Sequence, residues 1–341
     1  MAEQLYLVMN GGAHLWTPAG GLRYLHYVDP ALFAPGVPGN SRVGRVALTD
    51  TDKDGRAEAV YDFGGGRGIA VSYAPGSAAP TLTGVSLYGP DNVPRTQWGS
   101  THIYDLDPTP WDTGVPMVRF EHNGSMSRPI TGNSYFLQDV KSGAAVPLLS
   151  LGGTGSYLGA GRFTDDGEVR AIYHAGLSIF GADLTTIQLS GKTLIDQLRP
   201  GTQVVGIGNF AGAANRDEIL FQQDGTRELI AWDPAKGSAG FRGIFTPNEG
   251  WSVVTTGDLT GDGIDDVVVR YAAPATGAAT TVDGATAAFD FMKGEWHWIG
   301  VTEVGAIRGI APLLTPASPP PASAPPEEIG LAGLPAEGAW G

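Results

Sequence analysis

The chain has 341 residues, 51 of them Gly and 25 Pro, with only 16 % charged side chains; this turn-rich makeup leaves few segments able to sustain a helix. A net charge of −14 excludes the phosphate-neutralising surface that nucleic-acid binding needs, and equally disfavours an anionic membrane surface. The absence of cysteine excludes disulfides, thiol catalysis and thiolate metal sites, and no apolar run is long enough to insert in a membrane.

The N-terminus, Met1 to Asn10, has no basic n-region and no long apolar run, so no signal peptide is visible. Leu5 to Trp16 reads as later strands of a sheet that lacks its first strand. The first chemically informative stretch is Asp50 to Glu58. Asp50, Asp52 and Asp54 stand at loop positions 1, 3 and 5, Gly follows at position 6, Arg56 offers a backbone carbonyl at position 7, and Glu58 closes the set at position 9. Alternating carboxylates followed by a glycine turn are how a short loop wraps a hard cation such as Ca²⁺. Four carboxylates within nine residues would otherwise repel one another.

Further along, Trp98 and Trp111 sit in Pro- and Gly-rich loops and are candidates for ligand contact, while Pro108, Pro110 and Trp111 interrupt a second copy of the loop that starts at Asp105. A third copy, Gly161 to Tyr173, has Arg162 and Arg170 at positions 1 and 9. A guanidinium cannot ligate Ca²⁺, but by pairing with Asp166 it can stand in for the ion. Thr193 to Arg199, stopped by Pro200, is the best helical candidate. A fourth copy begins at Asn209 but holds Ala211 and Ala213 where ligands belong. The fifth, Asp258 to Asp266, is complete: Asp258, Thr260, Asp262, the carbonyl of Ile264, and Asp266. An EF-hand would need a bidentate Glu at position 12, where Tyr61 and Val269 stand, and its flanks would be helical, whereas these flanks are β-branched runs of strand length.

Trp296 and Trp298 alternate on one face of an expected strand, as either a sugar-stacking platform or packing between sheets. The six His are scattered without zinc-like spacing, and no nucleophile elbow, phosphate loop or dinucleotide fingerprint occurs.

The anchors Asp50, Asp105, Arg162, Asn209, Asp258 and, faintly, Ala306 recur roughly every 50 residues, about one four-stranded propeller blade. The stretch from Val301 to Leu314 resembles the missing first strand of the N-terminal sheet, so the two chain ends are expected to complete one blade together. The expected fold is all-β: one β-propeller over residues 1–314, six blades with a seventh as the alternative between Asp105 and Gly161, and then an extended Pro-rich tail over 315–341.

The segments Gly257 to Val269 and Thr49 to Tyr61 resemble the FG-GAP/VCBS repeat of integrin-type and bacterial calcium-binding propellers. That resemblance implies a propeller with Ca²⁺ in blade loops, commonly in proteins of surface recognition, adhesion or carbohydrate binding. Two Ca²⁺ sites are expected here. The functional expectation is a non-enzymatic module that binds a cell-surface glycan or receptor and meets neighbouring subunits through residues 315–341, as in a virion spike, fibre or decoration. It would be located extracellularly or on a virion surface, and in the cytoplasm before release. The alternatives are a propeller polysaccharide lyase or hydrolase and a purely structural subunit.

Overall fold

The computed structural model describes residues 3–9, 11–27, 45–49, 58–64, 67–72, 80–86, 101–104, 117–123, 133–139, 145–151, 155–164, 169–175, 178–183, 192–195, 200–212, 216–224, 226–273, 283–303 and 306–311. Strands dominate them. Strands β1 (Gln4–Met9), β2 (Gly12–Thr17) and β3 (Gly21–Tyr27) form an antiparallel meander. The next four make a sheet, β4 (Arg45–Thr49), β5 (Glu58–Gly64), β6 (Arg67–Ser72) and β7 (Thr81–Ser86), followed by β8 (Thr101–Tyr104), β9 (Met117–Asn123), β10 (Asn133–Asp139) and β11 (Ala145–Leu151). A further sheet holds β12 (Gly155–Arg162), β13 (Val169–Ala175), β14 (Ser178–Asp183) and β15 (Lys192–Ile195). Strands β16 (Thr202–Gly208), β17 (Glu218–Gln223), β18 (Leu229–Trp232) and β19 (Phe241–Phe245) come next, with a short 3₁₀ stretch, Pro234–Gly240, before the last of them. The sixth sheet comprises β20 (Trp251–Gly257), β21 (Asp266–Tyr271), β22 (Ala285–Asp290) and β23 (Glu295–Val301). Finally β24 (Ile307–Ala311) pairs antiparallel with β1, so the first meander becomes a four-stranded sheet in the order β24-β1-β2-β3.

Six four-stranded antiparallel sheets therefore account for every described strand, and one of them unites the two ends of the chain. Between Asp105 and Gly161 the described strands belong to the β8–β11 sheet and to β12, with no further sheet among the described residues. Neighbouring sheets meet through their first strands: β12 touches β16, β16 touches β20, β20 touches β24, β24 touches β4, and β4 touches β8.

The core lies in the seams between sheets. Phe163, Ile172, Ile219, Phe221 and Trp232 join the β12 and β16 sheets, and Phe210, Leu220, Trp251, Val267 and Tyr271 join the β16 and β20 sheets. Leu5, Leu7, Trp16, Leu259 and Val268 fill the seam between the β20 sheet and the composite one, and the buried hydroxyls of Tyr6 and Tyr61 bond across the next. Alternating apolar side chains of strands buried on both faces give this pattern directly. The repeat is also visible in the backbone. Register shifts recur at equivalent points of the first strands, between Tyr157 and Gly159, Val204 and Gly206, and Val253 and Thr255, each inserting one extra residue.

Two sequence expectations change. The proposed helix at 193–199 is not one where it is described: residues 193–195 are part of β15, which pairs with β14 (Ile179 opposite Ile195, Gly181 opposite Lys192), while 196–199 lie outside the described residues. A seven-residue helix gains too little from propensity to resist a sheet edge that supplies backbone partners. The faint sixth anchor is also misplaced. Gln4 stands opposite Ala311, as Asp266 stands opposite Gly257, so the equivalent of Asp258 follows β24, whereas Ala306 precedes it.

Candidate metal centre

The loop from Asp258 to Asp265 links β20 to β21, and Gly257 faces Asp266 directly across the hairpin. It is pinned from below by Leu259 and Ile264, both buried. Gly261 (φ 78°) and Gly263 (φ 85°) take left-handed turns that other residues resist, which explains glycine at positions 4 and 6. The Asp258 carboxylate organises the turn: Oδ1 accepts from the N–H of Gly261 (2.7 Å) and Asp262 (3.1 Å), and Oδ2 from that of Gly263 (3.0 Å). Asp262 Oδ1 accepts from the N–H of Ile264 (3.0 Å), and Asp266 Oδ2 from that of Thr260 (3.0 Å). Five backbone donors are thus satisfied by the three carboxylates at positions 1, 5 and 9. Thr260 Oγ1, at position 3, is buried without a hydrogen-bond partner.

Asp266 is 1 % exposed. Burial pushes its carboxyl from 3.8 up to about 7; the Thr260 N–H draws it down, and the charges of Asp290, Asp262 and Asp258 push it further up. Asp290, at the end of β22, is also wholly buried. There burial raises the carboxyl, but hydrogen bonds and charge from Lys293, whose Nζ lies 2.7 Å from Oδ2, hold it below the usual range. Lys293 thus pairs with Asp290 and feels the charge of Asp262, while the charges acting on Asp266 are those of its acidic neighbours.

The strand registers supply an internal comparison. Opposite the last residue of the first strand stand Asp266 in the β20 sheet, Glu218 in the β16 sheet and Glu58 in the β4 sheet, and opposite Gly161, the last but one of β12, stands Arg170. One strand further out, the equivalents of Asp290 are Asp233 and Asp183. In the β16 sheet the buried pair Glu218 and Asp233 is matched by three cations: Arg242 on Glu218 (3.1 Å), and Arg216 (3.4 Å) and Lys236 (3.0 Å) on Asp233. In the β12 sheet a cation occupies the position itself, Arg170 opposite Asp183, and its Nη1 donates to Thr164 Oγ1. Thr164 is the counterpart of Thr260. Where Arg170 reaches its threonine, the 258–266 loop has a threonine oxygen with nothing on it.

All the donors are oxygens, which suits a hard divalent cation. No group of three or more His, Asp or Glu among the described residues stands ready-made to hold a metal, and the carboxylates of Asp258, Asp262 and Asp266 accept from backbone donors. Each of these carboxylates keeps lone pairs beyond the bonds it accepts.

Of the first loop only Glu58 is described; it is buried at the site equivalent to Asp266, while Asp50, Asp52, Asp54 and Arg56 lie outside the described residues, as do Trp98, Trp111 and residues 315–341. Trp296 is half-buried against Phe289 (4.8 Å) and Phe245 (5.9 Å), so its ring serves the seam, whereas Trp298 is 40 % exposed.

A second set of acidic residues was not foreseen from the sequence. Asp217, Asp265 and Glu3 each stand just before the second strand of a sheet, and each grips the main chain of the preceding sheet's position-1 residue. Asp217 Oδ2 accepts from the Arg162 N–H (2.6 Å), Asp265 Oδ2 from Asn209 (2.8 Å) and Glu3 Oε2 from Asp258 (2.9 Å), while the N–H of each acid returns to the same residue's carbonyl. Burial raises the Asp217 carboxyl, against the Arg162 N–H and charge. The recurrence of an acid at this register position is the signal that reveals it.

No protein-family model matches the chain, and no curated protein does. Solved structures do match. An oligogalacturonate lyase in complex with manganese is 13 % identical over 72 % of this chain and 62 % of its own (TM-score 0.39). Oligopeptidase B from Trypanosoma brucei is 10 % identical over 87 % and 48 % (0.46), and a prolyl endopeptidase 14 % identical over 93 % and 51 % (0.44). The chain thus spans less than two thirds of each of these proteins. The matched structures are a lyase and peptidases; none is a glycan-recognition module of a virion or adhesive assembly, and that expectation is not carried further.

Proposed function

We propose that this protein is a six-bladed β-propeller, closed by the pairing of β1 with β24, and that its 258–266 loop holds a structural Ca²⁺ ion as the FG-GAP/VCBS resemblance implies. One observation carries the reading: the buried, partnerless Thr260 Oγ1 lies beside buried Asp266 at the position where the β12 sheet places the Arg170 guanidinium. Asp258, Thr260, Asp262, Asp266 and the Ile264 carbonyl would hold the ion, which would neutralise carboxylates that Lys293 alone does not balance. A cation enclosed in this way braces the fold; the first loop, ending at buried Glu58, is the second candidate.

Calorimetric titration of the chelator-treated protein with CaCl₂ tests this. Binding with a dissociation constant on the order of 10⁻⁴ to 10⁻³ M, abolished in Asp258→Ala, is expected. No binding heat and an unchanged melting temperature would overturn it.

A polysaccharide lyase or hydrolase is the second reading. It is favoured by one feature, the neighbouring carboxyls Asp266 and Asp290, one raised and one lowered as in an acid–base pair. Their near-complete burial weighs against it, since a substrate has to reach them. Release of unsaturated or reducing ends from acidic polysaccharides, lost in Asp266→Asn, would establish it.

A further inference from the structure

We propose that cation binding at the 258–266 loop fastens the N-terminal strand β1 into the ring, so that occupancy of the loop governs the pairing of β1 with β24; this rests on the loop being a cation site. Asp258 belongs to two structures at once. Its carboxylate gathers the N–H groups of Gly261, Asp262 and Gly263 into the loop. Its main chain is gripped on both sides by Glu3, whose Oε2 accepts from the Asp258 N–H and whose own N–H donates to the Asp258 carbonyl, each at 2.9 Å.

Glu3 directly precedes β1, so whatever fixes Asp258 fixes the start of that strand. The seam leaves no slack. A Cβ on Gly257 would lie 2.5 Å from Ile310 Cγ2 and 2.7 Å from Glu3 Oε2, and Leu259 of the loop packs with Leu5, Leu7 and Trp16. Strand β1 leads into β2, whereas β24 follows the β20 sheet, so β1 and β24 meet by backbone pairing and not through a connecting turn. The β1–β24 ladder is therefore where the ring opens without breaking a chain connection.

The other two clasps differ in this respect. Asp217 and Asp265 hold Arg162 and Asn209, residues that bring no carboxylate to position 1 of their loops, and the sheets they join follow one another along the chain. Of the three clasps among the described residues, the one at Asp258 is tied to a cation loop, and it lies beside the β1–β24 ladder.

Hydrogen exchange on the full-length protein, in EGTA and in 1 mM CaCl₂, tests the coupling. Amides of β1 should exchange about 10-fold more slowly with calcium, the factor expected at 1 mM for a dissociation constant on the order of 10⁻⁴ M, while those of β16 change far less. In Glu3→Ala the calcium heat should persist and the slowing at β1 should vanish. If that variant does not fold, Glu3→Gln, which keeps an acceptor oxygen without the charge, should reduce the slowing below the roughly 10-fold of the unaltered protein. Equal slowing of β1 and β16, or undiminished slowing in the variant, overturns the coupling and leaves the cation site standing. Absence of calcium heat in the unaltered protein overturns both.

Discussion

At the scale of single residues the burden falls on Asp266. An unfolded chain titrates this carboxyl near 3.8, and the folded one at about 7, so the folded state holds the proton more tightly between those values. Stability without metal is then fully present below pH 4 as far as this group is concerned, and is lost as pH rises through 7, by an amount on the order of 4 kcal/mol. Denaturant titrations in EGTA from pH 5 to pH 8 should show the larger part of that fall, about 2–3 kcal/mol; a flat profile would contradict it. Calcium should flatten it by displacing the proton, so binding at pH 7 should release about half a proton, read from calorimetry in buffers of different ionisation enthalpy. Asp266→Asn keeps the acceptor for the Thr260 N–H and removes the charge. It should stabilise the metal-free protein at pH 8 by about 1–3 kcal/mol and abolish the calcium response. Loss of stability with the calcium response intact would count against the assignment.

At the scale of elements, the hairpin loop was legible in sequence because its chemistry is local. Asp258, Asp262, Gly263 and Asp266 fall within nine residues, and the structure gives each glycine the left-handed turn that the spacing demands. Asp290 and Lys293 were not legible, since they reach the loop from β22 and the turn after it through strand pairing. The clasps escaped for the same reason: Asp217 meets Arg162 across 55 residues, and Glu3 meets Asp258 across 255. Two glycines separate these effects experimentally. A Cβ on Gly208 would lie 1.7 Å from Asp265 Oδ2, so Gly208→Ala should break the clasp on Asn209 and cost about 2–4 kcal/mol. A Cβ on Gly263 meets nothing within 4 Å, so Gly263→Ala should cost only its backbone conformation, about 1 kcal/mol. Urea denaturation of both variants without metal measures the difference; equal costs would show that the seam is loose.

At the scale of the whole molecule, the roughly 50-residue recurrence of strand, acidic turn and strand foretold sheets of four, and the incomplete units at both ends foretold the pairing of β1 with β24. The single misplaced anchor, Ala306, arose where one sheet is assembled from both ends, because no continuous stretch of sequence records that register. The central strands need this pairing, since removing β24 leaves the edge of β1 open along Gln4 to Leu7. Truncation after Ala306 should therefore lower the melting temperature and promote self-association by size-exclusion chromatography, whereas truncation after Leu314 should do neither.

Everything turns on whether an ion occupies the last acidic hairpin. Anomalous diffraction from crystals grown in CaCl₂ asks this directly. A peak enclosed by oxygens of Asp258, Thr260, Asp262, Ile264 and Asp266 is expected, at ligand distances of about 2.3–2.6 Å. A site filled by water alone, with Thr260 Oγ1 bonded to it and Asp266 protonated, would contradict it.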